Sequence, residues 1–434
     1  MKKILIIIFF LFYLCGASFG SQELDFTIQK LNSNVKGPTL LIVAGIQGDE
    51  PGGFNAASIL SKRYKITTGN IWIISNLNSI SIINRTRGVF GDLNRKFAKI
   101  KAYDPEYETV EKIKALILNK QVDMVLNLHD GSGFFRDKYK DDMHNPDRWG
   151  QCIIIDQKSI QNEKYGNLKE IAEKVIKEIN VKIGYGESSY HINNTKTKEG
   201  NIEMSKTLTY FAIKNLKSAF GIEASKNYFV HTRVYYHLIA IEAFMNYLNI
   251  GYLRDFNMTE SGVKAAIKEN ILLSLFNKKI ILDLENSRQQ INYLPLKKNA
   301  EIEFESNDPI VAVVKKGAGF DVFHGNRNIT SLYPEYFEYD NTLSGITIEV
   351  DGKIKKVEYG SIVNIEKNFK ILMPQDFRVN IIGFIKNNAK NEVGILISKK
   401  NIIKRFSIDK KGLIYRVEVY RKDKFSGMIL VKFK

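Results

Sequence analysis

Two short segments carry side chains suited to hold a metal ion. The run Gly45-Ile46-Gln47-Gly48-Asp49-Glu50-Pro51-Gly52-Gly53 follows an apolar, β-branched stretch, and Pro51 suits the first turn of a helix. Gln47 and Glu50 stand three apart, so an amide oxygen and a carboxylate can point at one atom from that loop. Alone, such a pair reads equally as an ordinary turn. Asn127-Leu128-His129-Asp130-Gly131 closes a second apolar stretch, where His129 reads either as a structural residue or as an imidazole ligand. Two strand ends on one sheet converge, and three protein ligands with an open fourth position are what a catalytic zinc requires. Two further pieces complete the set. Asn84-Arg85-Thr86-Arg87-Gly88-Val89-Phe90-Gly91-Asp92-Leu93-Asn94-Arg95 taken alone reads as a basic surface loop. Ala219-Phe220-Gly221-Ile222-Glu223-Ala224 ends a short apolar run on one carboxylate, which taken alone reads as well as a solvent-facing strand terminus.

These residues need a scaffold, and the hydrophobic pattern supplies one. Residues 39–44, 70–75 and 121–128 are buried-strand runs, whereas 55–62, 107–119, 168–179 and 237–248 have helical composition or apolar residues on one helical face. Strands separated by helical crossovers predict an α/β fold with a mixed central sheet covered by helices. In such sheets, sites form beyond the carboxyl ends of strands, where three of the four segments fall. After residue 250 the texture changes. A helix is expected from Thr259, a good N-cap, to about residue 275, followed by short strands. Asp351-Gly352 between alternating runs predicts a hairpin with a type I′ turn. The expected division is a leader at 1–20, an α/β domain at 21–250, a small β-barrel-like domain at 251–340 and a β-sandwich (immunoglobulin-like) domain at 341–434.

With these pieces in order, the chain resembles the zinc carboxypeptidases related to carboxypeptidase A. That family carries His-x-x-Glu after one strand, then an Arg followed by Asn-Arg, then His after another strand, and Glu late in the domain. The matching elements are Gln47-Gly48-Asp49-Glu50, Arg87 with Asp92-Leu93-Asn94-Arg95, Leu128-His129 and Gly221-Ile222-Glu223, over residues 38–248. The departure is Gln47, where most of the family has His. That Gln is similar to a narrower group, the peptidoglycan DL-carboxypeptidases that determine helical cell shape. The resemblance implies a Zn2+ held by Gln47, Glu50 and His129, with Glu223 as catalytic base. It implies Arg87 as the group stabilising charge on the carbonyl oxygen, with Arg85 as the alternative. Asn94 and Arg95 would grip the substrate's C-terminal carboxylate. Trp149 either lines the substrate pocket or packs, and Tyr190 or Tyr210 is a further candidate near the substrate. The other five histidines, His144, His191, His231, His237 and His324, lack ligand spacing and are expected to be structural or on the surface.

The bulk of the chain narrows the setting. Lys2 and Lys3, an apolar run at 4–14 and small residues up to Gly20 predict a cleaved export signal. The run falls short of the roughly 18 apolar residues a membrane helix needs, so no stable membrane insertion is expected after cleavage. The mature chain then keeps Cys152 alone, which excludes an internal disulfide and a Cys-x-x-Cys metal site. The net charge of +17 fits an acidic partner in the cell envelope, the lysines reading as scattered; no nucleic-acid motif is present. The expected function is a periplasmic enzyme that trims peptidoglycan stem (muramyl) tripeptides to dipeptides by removing terminal meso-diaminopimelate, thereby influencing cell shape. The alternatives are a catalytically weak or inactive cell-wall binding module, which the Gln for His change motivates, and a carboxypeptidase for ordinary periplasmic peptides.

Overall fold

Aliphatic and β-branched runs build the central layer. The computed structural model describes residues 25–386 and 391–434, so the expected leader at 1–20 lies outside the described residues. Seven strands form one sheet: β1 (Gln29–Asn32), β2 (Thr39–Val43), β3 (Asn70–Ile74), β4 (Met124–Gly131), β5 (Cys152–Ile155), β6 (His191–Asn194) and β7 (Ser218–Ser225). Their order is β1-β3-β2-β4-β7-β5-β6. The β3, β2, β4 and β7 neighbours pair in parallel, while β7 and β5 run antiparallel. Strands β2, β4 and β7 are buried along their whole length, as a sheet covered on both faces demands. The covering helices include α1 (Pro51–Arg63), α2 (Tyr107–Ile117), α3 (Leu168–Ile183) and α4 (Val230–Tyr247).

The predicted elements hold, with shifts that matter for the site. Strands β4 and β7 extend past the expected ends, so His129 and Glu223 lie within strands rather than after them. Helix α4 begins at Val230, seven residues before the expected start at 237. Its N-cap residue Phe229 makes no side-chain cap bond, so the sequence carries no start signal there. The helix expected over 259–275 is shorter. Thr259 caps it through Gly262 N, but it ends at Ala266, and Leu272–Leu275 is a strand paired with Ile280–Asp283. Between them Asn270 takes a left-handed φ of 54°, which breaks the helical run.

The remaining chain is β-rich. Gly345–Val350 and Lys353–Glu358 form the predicted hairpin, with Asp351 at φ 50° and Gly352 at φ 83°, as a type I′ turn requires. One hydrophobic cluster fills the α/β unit and a second lies between residues 271 and 332. The second also takes in Ile408, Ile414, Tyr420, Phe425, Met428 and Leu430 from the C-terminal strands, while a third cluster lies wholly beyond residue 345. No helix among the described residues is long and apolar enough to cross a membrane.

Candidate active site

The loop between β2 and α1 is forced into shape by close backbone approach. At Gly48 an added Cβ would lie 2.0 Å from the Ser81 carbonyl, and Gly45 adopts a φ of +71°. Only glycine fits both positions. The resulting turn aims Gln47 and Glu50, both buried, at the carboxyl end of β4. His129 Nδ1 lies 3.1 Å from Gln47 Oε1 and 2.9 Å from Glu50 Oε2. Sheet register brings in the fourth group, since Glu223 on β7 is the parallel partner of His129 on β4. Adjacent strands lie roughly 4.8 Å apart, so the two side chains stand side by side on one face.

The donor set fits a metal ion. Ligands held about 2.0–2.2 Å from a tetrahedral zinc lie roughly 3.3–3.5 Å from one another. Two of the spacings here are slightly shorter, and the three donors already converge. No cluster of three His, Cys, Asp or Glu in metal-holding arrangement occurs among the described residues, because the third donor here is an amide oxygen. That oxygen is aimed. Gln47 Nε2 donates to Asp92 Oδ1 at 2.9 Å, which leaves Oε1 facing His129. Asp92 also accepts from Asn94 N at 2.9 Å and from Arg87 Nε at 3.0 Å. One carboxylate therefore sets the amide, the arginine and the turn that carries Asn94 and Arg95.

A pocket of about 300 Å³ opens over these donors. Arg87, Asn94, Arg95, Trp149 and Glu223 all line it, together with Gln47, Glu50 and His129. Arg87 is half exposed and its guanidinium reaches Glu50 Oε1 at 3.4 Å. Arg85 does not join them. It sits at the end of a short helix with φ 56°, and its Nε donates to the Asn326 carbonyl in the following β-rich part. Tyr190 and Tyr210 are not among the lining residues either; Tyr190 is fully buried against Tyr236. A larger groove of about 660 Å³ lies between the α/β unit and the segment 303–312, but it contains none of these chemical groups.

Electrostatics separate the carboxylates. Burial, with Glu50 and Asp130 nearby, raises the Glu223 carboxyl well above its usual range, while Lys226 and Arg87 pull the other way. Asp130 behaves oppositely. Burial alone would raise it, but His237 and Arg233 hold it below the ordinary carboxylate value. Its oxygens accept from Gly52 N, Arg233 and His237, the last placing that histidine in the structural role expected of it. Cys152, the antiparallel partner of Glu223, is buried, and burial keeps its thiol protonated.

Sequence reasoning missed several wall residues. Lys226 pairs with Asp49 at 2.9 Å and stands 3.7 Å from Glu50. Its only signal was its place one residue beyond the end of β7. Thr207, Thr209 and Met204 form another wall. Thr207 is a helix N-cap accepting from Tyr210 N, a capping signature that says nothing of a pocket.

Comparison with known proteins follows the same lines. Residues 1–268 match the family model described as the catalytic part of a carboxypeptidase controlling helical cell shape. Residues 339–434 match the model for the C-terminal domain of metallo-carboxypeptidase. Among solved structures, apo cell shape determinant Csd4 from Helicobacter pylori is 40% identical, with 94% of this chain and 100% of that chain covered, at a TM-score of 0.86. Its tripeptide-bound form gives the same identity and coverage at 0.85. Its mDAP-bound form, described as a D,L-carboxypeptidase, is 42% identical over 92% of this chain and 97% of that chain, at 0.84. No curated protein matches the chain.

Proposed function

Because the chain belongs to the family of metal-dependent carboxypeptidases that control helical cell shape, we propose that it is a zinc D,L-carboxypeptidase of the periplasm. Its substrate would be the peptidoglycan stem tripeptide, from which it removes terminal meso-diaminopimelate to leave a dipeptide. The tripeptide- and mDAP-bound structures of Csd4, 40% and 42% identical to this chain, support that substrate class. The leader reading supports the location. The observation that carries the chemistry is the convergence of Gln47 Oε1, Glu50 Oε2 and His129 Nδ1 beside Glu223, inside a pocket rimmed by arginines.

Each residue of the chain has a distinct task in this reading. Gln47, Glu50 and His129 would hold the zinc, which supplies Lewis acidity for the scissile carbonyl and the attacking water when bound. Glu223 takes the water's proton and passes it to the leaving amine; a raised carboxyl suits that shuttle. Arg87 faces the same pocket and stabilises the negative charge that builds on the carbonyl oxygen. Arg95 grips the substrate's terminal carboxylate, which makes the enzyme an exopeptidase. Asn94 is committed in part, since its Oδ1 accepts from Leu208 N at 3.0 Å, and its Nδ2 stands 3.4 Å from His129 Nε2.

An inactive wall-binding module is the competing reading, resting on Gln47. The Asp92 bond weighs against it, because a decayed ligand position has no need of a carboxylate that turns its oxygen toward the other donors. The test is Glu223→Gln on zinc-loaded protein with muramyl tripeptide. Turnover is expected to fall by about 10²–10⁴ while tripeptide binding persists. Unchanged release of diaminopimelate would move the base to another residue, and a folded, zinc-loaded wild type that leaves the tripeptide intact would favour the binding module.

A further inference from the structure

The lysines are not evenly scattered, contrary to the expectation from the sequence. Residues 341–434 contain 20 Lys and Arg against 9 Asp and Glu, so +11 of the chain's net +17 sits in its last 94 positions. Within that part, residues 396–411 concentrate it further. They carry Lys399, Lys400, Lys404, Arg405, Lys410 and Lys411, all exposed, and one acid, Asp409, which is buried. Asp409 spends Oδ1 on the backbone N–H groups of Leu413 and Ile414 at 2.9 and 2.8 Å, so it does not face the cations. Among the described residues, the ion pairs of the C-terminal part, such as Lys370–Glu349, Lys432–Asp283 and Arg421–Asp376, lie elsewhere.

The segment is also held in shape. Buried Ile402, Ser407 and Ile408 anchor it, and Arg288 bonds the Ser407 carbonyl at 2.7 Å and the Lys404 carbonyl at 3.0 Å. The Lys404 side chain lies over Gly412, which joins the 399–406 turns to Lys410 and Lys411 as one surface. Interleaved with the cations are Leu396, Ile403 and Phe406, 55%, 39% and 39% exposed, and Arg405 covers the Phe406 ring at 4.9 Å.

We propose that this face of the C-terminal part docks on an anionic lipid surface, with the six cations meeting headgroup phosphates and Leu396, Ile403 and Phe406 entering the interfacial layer. Charge complementarity calls for a polyanion, and the apolar side chains choose among polyanions. An anionic wall polymer satisfies the lysines but offers Ile403 and Phe406 no apolar phase, whereas a bilayer interface offers both. Such docking is peripheral and independent of the carboxypeptidase reading, since none of these residues touches the pocket.

The test is co-sedimentation of the chain from Ser21 onward with phosphatidylcholine vesicles with and without phosphatidylglycerol, and with purified sacculi. Binding is expected to require phosphatidylglycerol and to weaken with salt. A basic residue near such a surface contributes about 1 kcal/mol, or roughly fivefold. Lys399→Gln, Lys400→Gln, Lys404→Gln and Arg405→Gln together are therefore expected to lower partitioning by at least on the order of a hundredfold. The pair Ile403→Ser and Phe406→Ser is expected to weaken it with the salt dependence retained. Hydrolysis of soluble tripeptide, unchanged in both, checks that the variants fold; if the fourfold variant does not, Lys410→Gln with Lys411→Gln replaces it. Equal affinity for both vesicle types, indifference to the substitutions, or binding to sacculi alone would each overturn the proposal.

Discussion

Two buried aspartates grip the same helix, and they serve different ends. Asp130 accepts from Gly52 N at the start of α1 and pairs with Arg233 and His237 of α4. Asp308, outside the α/β unit, reaches the other half of α1, accepting from Ser58 Oγ at 2.7 Å and pairing with Lys62 at 2.5 Å and His324 at 2.8 Å. Each cluster combines a carboxylate, an imidazole and a cation away from water. Arg327 Nη2 lies 3.0 Å from His324 Nδ1, and His324 Nε2 lies 2.8 Å from Asp308 Oδ2. The difference is what lies next in the chain. Asp130 follows His129, one of the proposed metal ligands, and its own N–H bonds Glu50 Oε2 at 3.2 Å. Asp308 precedes only the strands of the middle β-rich part. One cluster fixes a site; the other fixes a seam.

Removing either carboxylate is the strongest way to test that division. Breaking a buried pair by taking out one partner costs about 3–5 kcal/mol, because the remaining charge is left desolvated and alone. Asp130→Ala and Asp308→Ala are both expected to lose stability of that order in urea. Their catalytic effects are expected to part. Asp130→Ala leaves Gly52 N, Arg233 and His237 without their acceptor beside the loop that carries Glu50, and is expected to lose zinc and turnover at temperatures where it is still folded. Asp308→Ala keeps kcat and zinc affinity under the same conditions. An equal fall in kcat for both would make the seam part of the site and erase the distinction.

The two clusters also mark what the sequence made legible. His129, Glu50 and Glu223 could be read as a set because their motifs follow one another in the order that the carboxypeptidase resemblance requires, and that order is a linear property. Sheet order then brings β4 and β7 side by side, which the pattern of helical crossovers implied without naming the neighbours. Asp92 is different. It was visible only as part of a basic loop, since its value lies in bonding Gln47, 45 positions earlier, and no local spacing encodes that. Arg85 was a reasonable guess by proximity to Arg87, but its left-handed backbone turns it toward Asn326. The overlong helix after Thr259 failed for a tertiary reason. Leu272–Leu275 satisfies a helical stripe and a strand alternation alike, and pairing with Ile280–Asp283 decided between them.

Asp92 sharpens the comparison from the side of the site, with an intermediate effect. Partners that orient a metal ligand typically contribute 10–100-fold in metal affinity. Asp92→Ala frees the Gln47 carboxamide to turn its nitrogen toward His129, and is expected to weaken zinc binding by that factor in a competition titration against a chelator. Fold stability is expected to change far less than in Asp130→Ala, because Asp92 is not sealed from solvent. Asp49→Ala is the control: it removes a carboxylate bonded to Lys226 without touching Gln47. Equal loss of zinc in both variants would mean that general negative charge, and not the aimed amide, retains the metal.

Acid provides the smallest and most discriminating effect. Burial alone would raise Asp308, but His324 and Lys62 outweigh it and hold the carboxyl well below the usual range; Asp130 is likewise lowered. A carboxylate depressed on folding stabilises the native state above its unfolded pKa of about 3.9, and that contribution is lost as pH falls below it. At pH near 3.9 the loss per group is only about 0.4 kcal/mol, growing by up to about 1.4 kcal/mol per further unit until the folded pKa is reached. Asp308→Asn titrates nothing at that position, so its stability is expected to fall less steeply than the wild type's between pH 5 and 3, the difference in slope approaching one bound proton at the acid end of that range. The wild-type and variant curves therefore converge toward low pH, where the seam carboxylate has stopped contributing. Parallel curves would mean that the Asp308 carboxyl binds its proton equally in the folded and unfolded states, so that the seam draws no net stability from its charge.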